Sequence, residues 1–272
     1  MNVNSFSLSN SSIYGNVSIG TPDYSGLNVG PNGLVGDFGT SAGTVDYGKV
    51  TTNFTTNFED ATAPTTGGYT IAAINSATTL PRGGDLPAAD GTFYYDVSSI
   101  SLSGAPSKVL NIGAGCDIVI RISAGRGSTG VSVSGNASIK VLAGASLELY
   151  AQADISIGGR GIANSNDPEA FMLYSTRPAG AAGSQNISVS GNGQLSAVVY
   201  APNTSVSMNG GGSSGNVYGA VVADSITVTG GSEFHYDEAL AAMTTGNPFG
   251  VGKWAELTSS TQRATYTSIM GF

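Results

Sequence analysis

The single histidine of the chain, His235, lies next to Tyr236, Asp237 and Glu238 in the most polar short segment of the sequence. An imidazole beside two carboxylates has the groups that acid–base catalysis or metal binding requires. One histidine cannot supply a His pair for a metal ion, however, and Asp237 is well placed to cap a short helix that begins at Glu238. We therefore interpret these four residues as a structural cluster at the end cap. We predict no catalytic, metal-binding or cofactor-binding residues.

Three other aspartates, Asp117, Asp154 and Asp224, each precede a predicted strand. Hydrolysis of a glycosidic bond requires two carboxyl groups about 5–10 Å apart. The outward positions of the predicted strands carry Ser, Thr and Asn instead of paired carboxylates. Because aspartate at a strand corner commonly caps a turn, we interpret the three residues as turn caps. A carbohydrate-active enzyme remains the alternative.

Tyr150, Tyr174 and Tyr200 each stand near the end of an apolar strand, 24 and 26 residues apart, and the series continues to Ala223 after a further 23 residues. If equivalent strands stack, the three rings form a ladder. An exposed ladder would bind sugar rings, whereas a ladder that points inward would be part of the core. Each tyrosine follows an apolar pair, which favours a core or half-buried position, and both interpretations stay open at this point.

An internal repeat positions these residues. Its unit is an apolar strand, a turn of variable length, a strand in which β-branched residues alternate with Ser or Thr, and a glycine. The first strands of the units include Ile118–Ile122, Leu147–Ala151, Phe171–Ser175, Ala197–Ala201 and Ala220–Ala223. A period in the low to middle twenties with short strands is typical of one coil of a parallel β-helix, in which stacked coils bury a continuous aliphatic column.

The sequence thus predicts an all-β fold, a right-handed parallel β-helix (β-solenoid), with a β-sandwich or jelly roll as the alternative. We predict one solenoid domain over residues 1–243 and a C-terminal cap or tail over 244–272. Within the domain we expect irregular first coils (1–60), a proline-containing excursion (61–95) and regular coils (96–234). A short helix is possible near Tyr69–Ser76, and helical turns at Glu238–Met243 and Lys253–Leu257 would cover the apolar end of the last coil.

Composition excludes several classes of function. Charged residues make up only 10% of the chain, 40 residues are glycine, and the net charge is −8 without a basic patch, so we expect no nucleic acid partner. Cys116 is the only cysteine, which excludes an intramolecular disulfide. No apolar run is long enough to span a membrane, and residues 1–5 do not resemble a signal peptide. From the neutral, Ser/Thr/Asn-rich surface we expect an extracellular or cell-surface monomer whose export segment is absent from this chain.

Three segments carry a resemblance: Val199–Asn203, Gly219–Ala223 and Phe234–Leu240. They resemble a bacterial domain of unknown function found at the C-terminal end of prepilin-like, PilX-type pilus-assembly proteins. The resemblance is firm over roughly residues 185–243 and looser before them. It implies an exported, pilus-associated or cell-surface β-solenoid with no established activity and no known catalytic residues. Those proteins begin with an apolar anchoring helix that this chain lacks.

The function expected from these observations is a non-enzymatic structural or adhesive module on a pilus or the cell surface. Its partners would be other pilus or surface subunits, or glycans, and it would need no cofactor. The main alternative is a carbohydrate-active β-helix enzyme, such as a polysaccharide lyase or hydrolase. Ice binding and a bactofilin-like polymerising scaffold are weaker alternatives, because the strands mix Ser, Thr and Asn and the C-terminal end is predicted to be capped.

Overall fold

The structure, a computed structural model, describes residues 6–54, 58–165, 167–191, 195–210, 217–230, 233–237 and 240. The chain divides into two units, Met1–Asp237 and Glu238–Phe272, and the fold below is that of the first. The helical turns predicted at Glu238–Met243 and Lys253–Leu257, and the tail 244–272, lie outside the described residues apart from Leu240. Within the described residues, no helix has the length and hydropathy that crossing a bilayer requires.

The fold is nearly all β, and its strands form three long rows of parallel neighbours. We call the row that contains the tyrosine strands row A. In the order of pairing, it consists of β7 (Tyr69–Ile71), β9 (Phe93–Val97), β12 (Asp117–Ile122), β15 (Ser146–Ala151), β18 (Phe171–Ser175) and the middle segments, 198–201 and 220–223, of β20 (Leu195–Gly210) and β21 (Val217–Gly230).

The other rows are built in the same way. Row B consists of β10 (Ile100–Leu102), β13 (Thr129–Val133), β16 (Asp154–Ile157), β19 (Asn186–Gly191), the second halves of β20 and β21, then β1 (Phe6–Leu8) and β4 (Leu27–Val29). Row C consists of β8 (Thr78–Leu80), β11 (Val109–Ile112), β14 (Ser138–Val141) and β17 (Ile162–Ala163), beside which lie the first residues of β20, 195–197. These pair with the first residues of β21, 217–219, and the row continues with β22 (Glu233–Tyr236), β2 (Ser12–Tyr14) and β5 (Leu34–Gly36). A separate pair joins β3 (Val17–Ser18) to β6 (Val50–Thr51). Three short 3-10 helices, Tyr24–Gly26, Tyr47–Lys49 and Pro168–Ala170, each begin after an aspartate that accepts a backbone N–H.

The pairing register follows the sequence repeat. Tyr150 pairs with Tyr174, and Tyr174 with Tyr200, as the spacing predicts. The last step of the predicted alignment is wrong by one residue, because Tyr200 pairs with Val222 and not with Ala223. A one-residue slip would exchange the two faces of the strand. The observed register keeps the inward alternation, with Val199 beside Val221 in the core.

Aliphatic side chains from successive repeats pack into one continuous core. Ile118, Leu147 and Phe171, for example, come from three neighbouring strands of row A, pair in register and are almost completely buried. All the pairings between named strands of the described residues are parallel, which argues against the antiparallel sheets of a sandwich. The helix considered near Tyr69–Ser76 is wrong, because Tyr69–Ile71 is a strand paired with β9 and Ile74 forms a bridge to Ile100.

The two N-terminal repeats do not lie where the order of the sequence suggests. Phe6 pairs with Ile226, and Ile13 pairs with Phe234, so β1 and β2 lie next to the C-terminal strands β21 and β22. The next repeat, which contains β4 and β5, lies outside β1 and β2. The chain must then return to β7 at the opposite end of row A. Residues 52–68 make this return, and we call them the strap.

Candidate functional site

The three predicted tyrosines are neighbours on the outer face of row A. The rings of Tyr150 and Tyr174 stack with centroids 4.6 Å apart, and Tyr174 meets Tyr200 edge-on at 6.3 Å. Tyr150 and Val119 pack with Tyr94 in a small apolar cluster outside the main core. The ladder therefore exists, and it belongs neither to the main core nor to the exposed surface, since Tyr150 is 8% and Tyr200 is 7% exposed.

The strap covers this ladder from outside. Phe58 packs edge-on against Tyr200 at 6.0 Å, and the Tyr200 hydroxyl donates to the carbonyl oxygen of Glu59 at 2.7 Å. The Asp60 carboxylate accepts hydrogen bonds from the amide of Asn203 at 2.6 Å and from the backbone N–H of residue 179 at 3.1 Å. An exposed tyrosine ladder for sugar rings, one of the two interpretations left open by the sequence, is thus not available while the strap is in place.

Arg121 fastens the strap further along row A. Its guanidinium donates two hydrogen bonds to Asp96, at 2.8 and 2.9 Å, and two to the carbonyl oxygens of Pro64 and Thr66, at 2.7 and 2.6 Å. The guanidinium also lies 5.7 Å from the ring centroid of Tyr94. One side chain thereby joins two neighbouring strands of row A to the strap, a role for which the planar fork of arginine is suited.

Burial changes the acidity of the covered phenols. Burial raises the pKa of Tyr174 to about 12, and the charge of Glu148 acts in the same direction. The pKa of Tyr150 is raised further, by burial first and then by its hydrogen bond to Glu148 at 2.7 Å. Burial also raises the pKa of Tyr200. These phenols stay protonated at neutral pH, so they act as hydrogen-bond donors and not as bases.

His235 lies at the junction between the C-terminal strands and the N-terminal repeats. Its ring stacks on Tyr218 at 4.6 Å and on Tyr14 at 5.2 Å, and one ring nitrogen is 3.2 Å from Glu233. Phe38, which is 87% exposed, extends this column at 5.5 Å from Tyr14.

The other members of the predicted cluster occupy different places around this junction. Tyr236 is largely exposed, the backbone N–H of Asp237 donates to the carbonyl oxygen of Gly219 at 3.3 Å, and Glu238 lies outside the described residues. His235 thus stacks on Tyr218 of β21 and on Tyr14 of the N-terminal repeats, and the sequence analysis associated neither ring with it.

Several carboxylates of the described residues accept hydrogen bonds from neighbouring hydroxyl, guanidinium or backbone N–H groups. Asp117 accepts from the Ser146 hydroxyl at 2.6 Å, and Asp154 accepts from a backbone N–H of the next repeat at 2.8 Å. The pKa of Asp85 is lowered mainly by its hydrogen bonds from Arg82, and that of Asp90 by the backbone N–H of residue 92. Among the described residues, no group of three or more His, Cys, Asp and Glu side chains is close enough to hold a metal ion.

Row B presents an outward column of small polar side chains, as the alternation of β-branched residues with Ser or Thr predicts. The central outward residue of each strand pairs with its equivalent in the next, and all of them are Ser, Thr or Asn. In the order of pairing they are Ser101, Ser132, Ser156, Ser188, Ser207, Thr227, Ser7 and Asn28. Each is partly or fully exposed. Because parallel strands lie about 4.8 Å apart, the column repeats its hydroxyl groups at that interval.

Comparison with known proteins gives one match. The family model described as "Domain of unknown function (DUF7305)" matches residues 36–243. No curated protein and no solved structure matches the chain.

Proposed function

The chain belongs to the DUF7305 family of domains of unknown function, and we propose that it is a non-enzymatic structural or adhesive module on a pilus or the cell surface. We further propose that its fold is a right-handed parallel β-solenoid. The match covers the three segments that resemble the C-terminal domain of PilX-type pilus-assembly proteins, and the pilus location rests on that resemblance alone. The exported location is supported by the low content of charge and the neutral polar surface.

The order of the strands supports the solenoid. The chain passes from β11 in row C to β12 in row A and β13 in row B, and then returns to row C at β14 beside β11. The next circuit repeats this order through β15, β16 and β17. Crossover connections between parallel strands are almost always right-handed, which is the reason for the proposed hand.

The row B column carries the proposal of adhesion. It is uncharged along its length, it repeats at the strand spacing, and no described part of the chain covers it as the strap covers row A. A rigid array of hydroxyl and amide groups suits a partner that is itself neutral, hydroxylated and repetitive, because each strand then offers the same hydrogen bonds. Polysaccharide surfaces have this chemistry.

The non-enzymatic part of the proposal is supported by the carboxylates. A glycosidase needs a general acid whose pKa is raised toward neutrality. In the described part of the chain, the carboxyl groups of Asp23, Asp85 and Asp90 have pKa values shifted downward, each by hydrogen bonds to the charged form.

Retention on immobilised ligands tests adhesion. Wild type is passed over polysaccharide, cell-wall and abiotic matrices beside Ser156→Tyr, which places a bulky ring in the middle of the row B column. Thr79→Tyr, at an exposed position of row C, is the matched control. Adhesion through row B predicts that wild type is retained and that only Ser156→Tyr loses retention, by about tenfold or more. Retention on no matrix would reduce the module to a spacer, and turnover of any polysaccharide in a reducing-end assay would refute the non-enzymatic assignment.

The same column favours a second candidate function, ice binding. A flat array of regularly spaced hydroxyl groups can order water on its surface. Growth of ice crystals in the presence of wild type and Ser156→Tyr distinguishes this function from polysaccharide binding. Inhibition of ice growth by wild type and not by Ser156→Tyr would favour ice as the ligand. Ice growth that wild type does not inhibit would exclude this function.

A further inference from the structure

The junction between the two ends of the chain is built as a strand-pairing interface. Ser7 and its neighbours in β1 pair with β21, and β2 pairs with β22. The Ser11 hydroxyl donates to the carbonyl oxygen of Gly230 at 3.0 Å, and the buried side chains of Leu8 and Ile13 complete the core at this edge. The residues that meet here are separated by more than two hundred positions in the sequence, and the strap joins the N-terminal repeats covalently to the strands that follow.

The strap has little slack. From β7 to β21, row A contains six strand spacings, and β21, β22, β2 and β5 add three more in row C; nine spacings at about 4.8 Å each amount to about 43 Å. Residues 52–68, at about 3.3 Å each, reach at most about 56 Å. The described residues of the strap contain no strand. They are held instead by side-chain contacts, of which those of Asp60 and Arg121 have the most hydrogen bonds.

From these observations we infer that the N-terminal repeats of one molecule can dock on the C-terminal strands β21 and β22 of a second copy. The contacts in such a complex are those of the junction itself, because the same strands, register and buried side chains meet. Only the origin of the N-terminal repeats differs, as in domain swapping. A strap with little slack opposes docking within one chain, and a high concentration of the protein favours docking between chains. This assembly does not depend on the proposed adhesive function.

Complementary cysteine variants separate the two modes of docking. One copy carries Ser7→Cys and a second, differently tagged copy carries Thr227→Cys, both with Cys116→Ser. Residues 7 and 227 pair across the junction, and neighbouring strands bring paired Cα atoms within the range of a disulfide. Neither copy can link its own junction, so a mixed-tag product reports docking between molecules. A copy with Ser101→Cys, on a row B strand that pairs with β13, replaces the Thr227→Cys copy in the control.

A deletion of residues 61–65 shortens the reach of the strap to about 40 Å, below the span of about 43 Å. In the Ser7→Cys copy, this deletion is expected to raise the yield of the mixed-tag product at least tenfold over the intact strap. The intact-strap mixture should give a yield that rises with concentration and exceeds the Ser101→Cys control at least fivefold. Equal yields from the Thr227→Cys and Ser101→Cys copies, with circular dichroism showing folded proteins, would overturn the inference. If the shortened chain does not fold, the comparison of the Thr227→Cys and Ser101→Cys copies with the intact strap is enough to test the inference.

Discussion

Replacing Arg121 by methionine is expected to release the strap without unfolding the rows. The change removes four hydrogen bonds from a guanidinium that is 14% exposed, and methionine keeps apolar contact with the ring of Tyr94. Hydrogen bonds to charged groups contribute about 1.5–3 kcal/mol each. Asp96 is 43% exposed and Thr66 lies at the surface, so water replaces part of what is lost. We therefore expect a net loss of about 2–3 kcal/mol.

Limited proteolysis measures this loss where it occurs. When opening and closing of a segment are fast, its cleavage rate follows the population of the open form. A loss of about 2–3 kcal/mol corresponds to cleavage about 30 to 150 times faster, and mass spectrometry should place the cuts between residues 58 and 68. Arg121→Lys should fall between wild type and Arg121→Met, because an ammonium keeps the charge but lacks the fork.

Arg126→Met is the matched control, since Arg126 is exposed and its Nη1 donates one bond, to the carbonyl oxygen of Ala182 at 3.0 Å. It should be cleaved like wild type. Strap cleavage of folded Arg121→Met at the wild-type rate would refute the assignment of Arg121 as the fastener of the strap.

Three further changes test the rows. Leu149→Ala should lower the free energy of unfolding by about 2–5 kcal/mol, and exposed Ser156→Ala by less than about 0.5 kcal/mol. Similar midpoints of urea unfolding for the two variants would contradict the position of Leu149 in the core. Gly219 has φ +134°, and a Cβ added there would overlap the backbone of the neighbouring strand. Gly219→Ala should therefore lower the free energy of unfolding by more than about 2 kcal/mol, whereas Gly83→Ala, which places its methyl group in open space, should not. Unfolded tyrosine ionises near pH 10 and folded Tyr174 near 12. The contribution of this phenol to stability is therefore constant below about pH 10 and is lost above it, so stability should fall less steeply above about pH 10 in Tyr174→Phe than in wild type. Equal slopes in the two proteins would show that this phenol is not buried.

The repeat and its register were predictable because they leave a local mark in the sequence. Tyr150, Tyr174 and Tyr200 pair as their spacing predicts, and the alternation of aliphatic with hydroxyl residues gives the inward and outward faces. The match to a domain of unknown function confirms the resemblance at that level. The last register step failed because the tyrosine series was continued from Tyr200 to Ala223, whereas the core is set by the alternation of Val199 and Val221 with outward residues.

The position of the N-terminal repeats could not be predicted in the same way. A parallel strand edge accepts any strand with the right alternation, so nothing local in Phe6–Leu8 specifies Ile226–Val228 as its neighbour. The cover over the tyrosines follows from this placement, because the strap exists only if the chain must return along row A. The stacking of His235 on Tyr14 has the same origin. Contacts between distant segments are therefore what the sequence analysis missed.

The register that aligns the core also decides what each outer face can do. In parallel rows any residue type that recurs outward becomes a ladder, whether it is the tyrosines of row A or the hydroxyl groups of row B. The strap must follow one face of the rows. On row A the phenol rings offer it an apolar contact that serine side chains lack, and Arg121 donates hydrogen bonds to its carbonyl oxygens. Row A is consequently used inside the molecule, and row B is the face that the proposed adhesive partner would contact. Docking between copies keeps the strands and register of row B, so the proposed adhesion and this docking can occur on the same molecule.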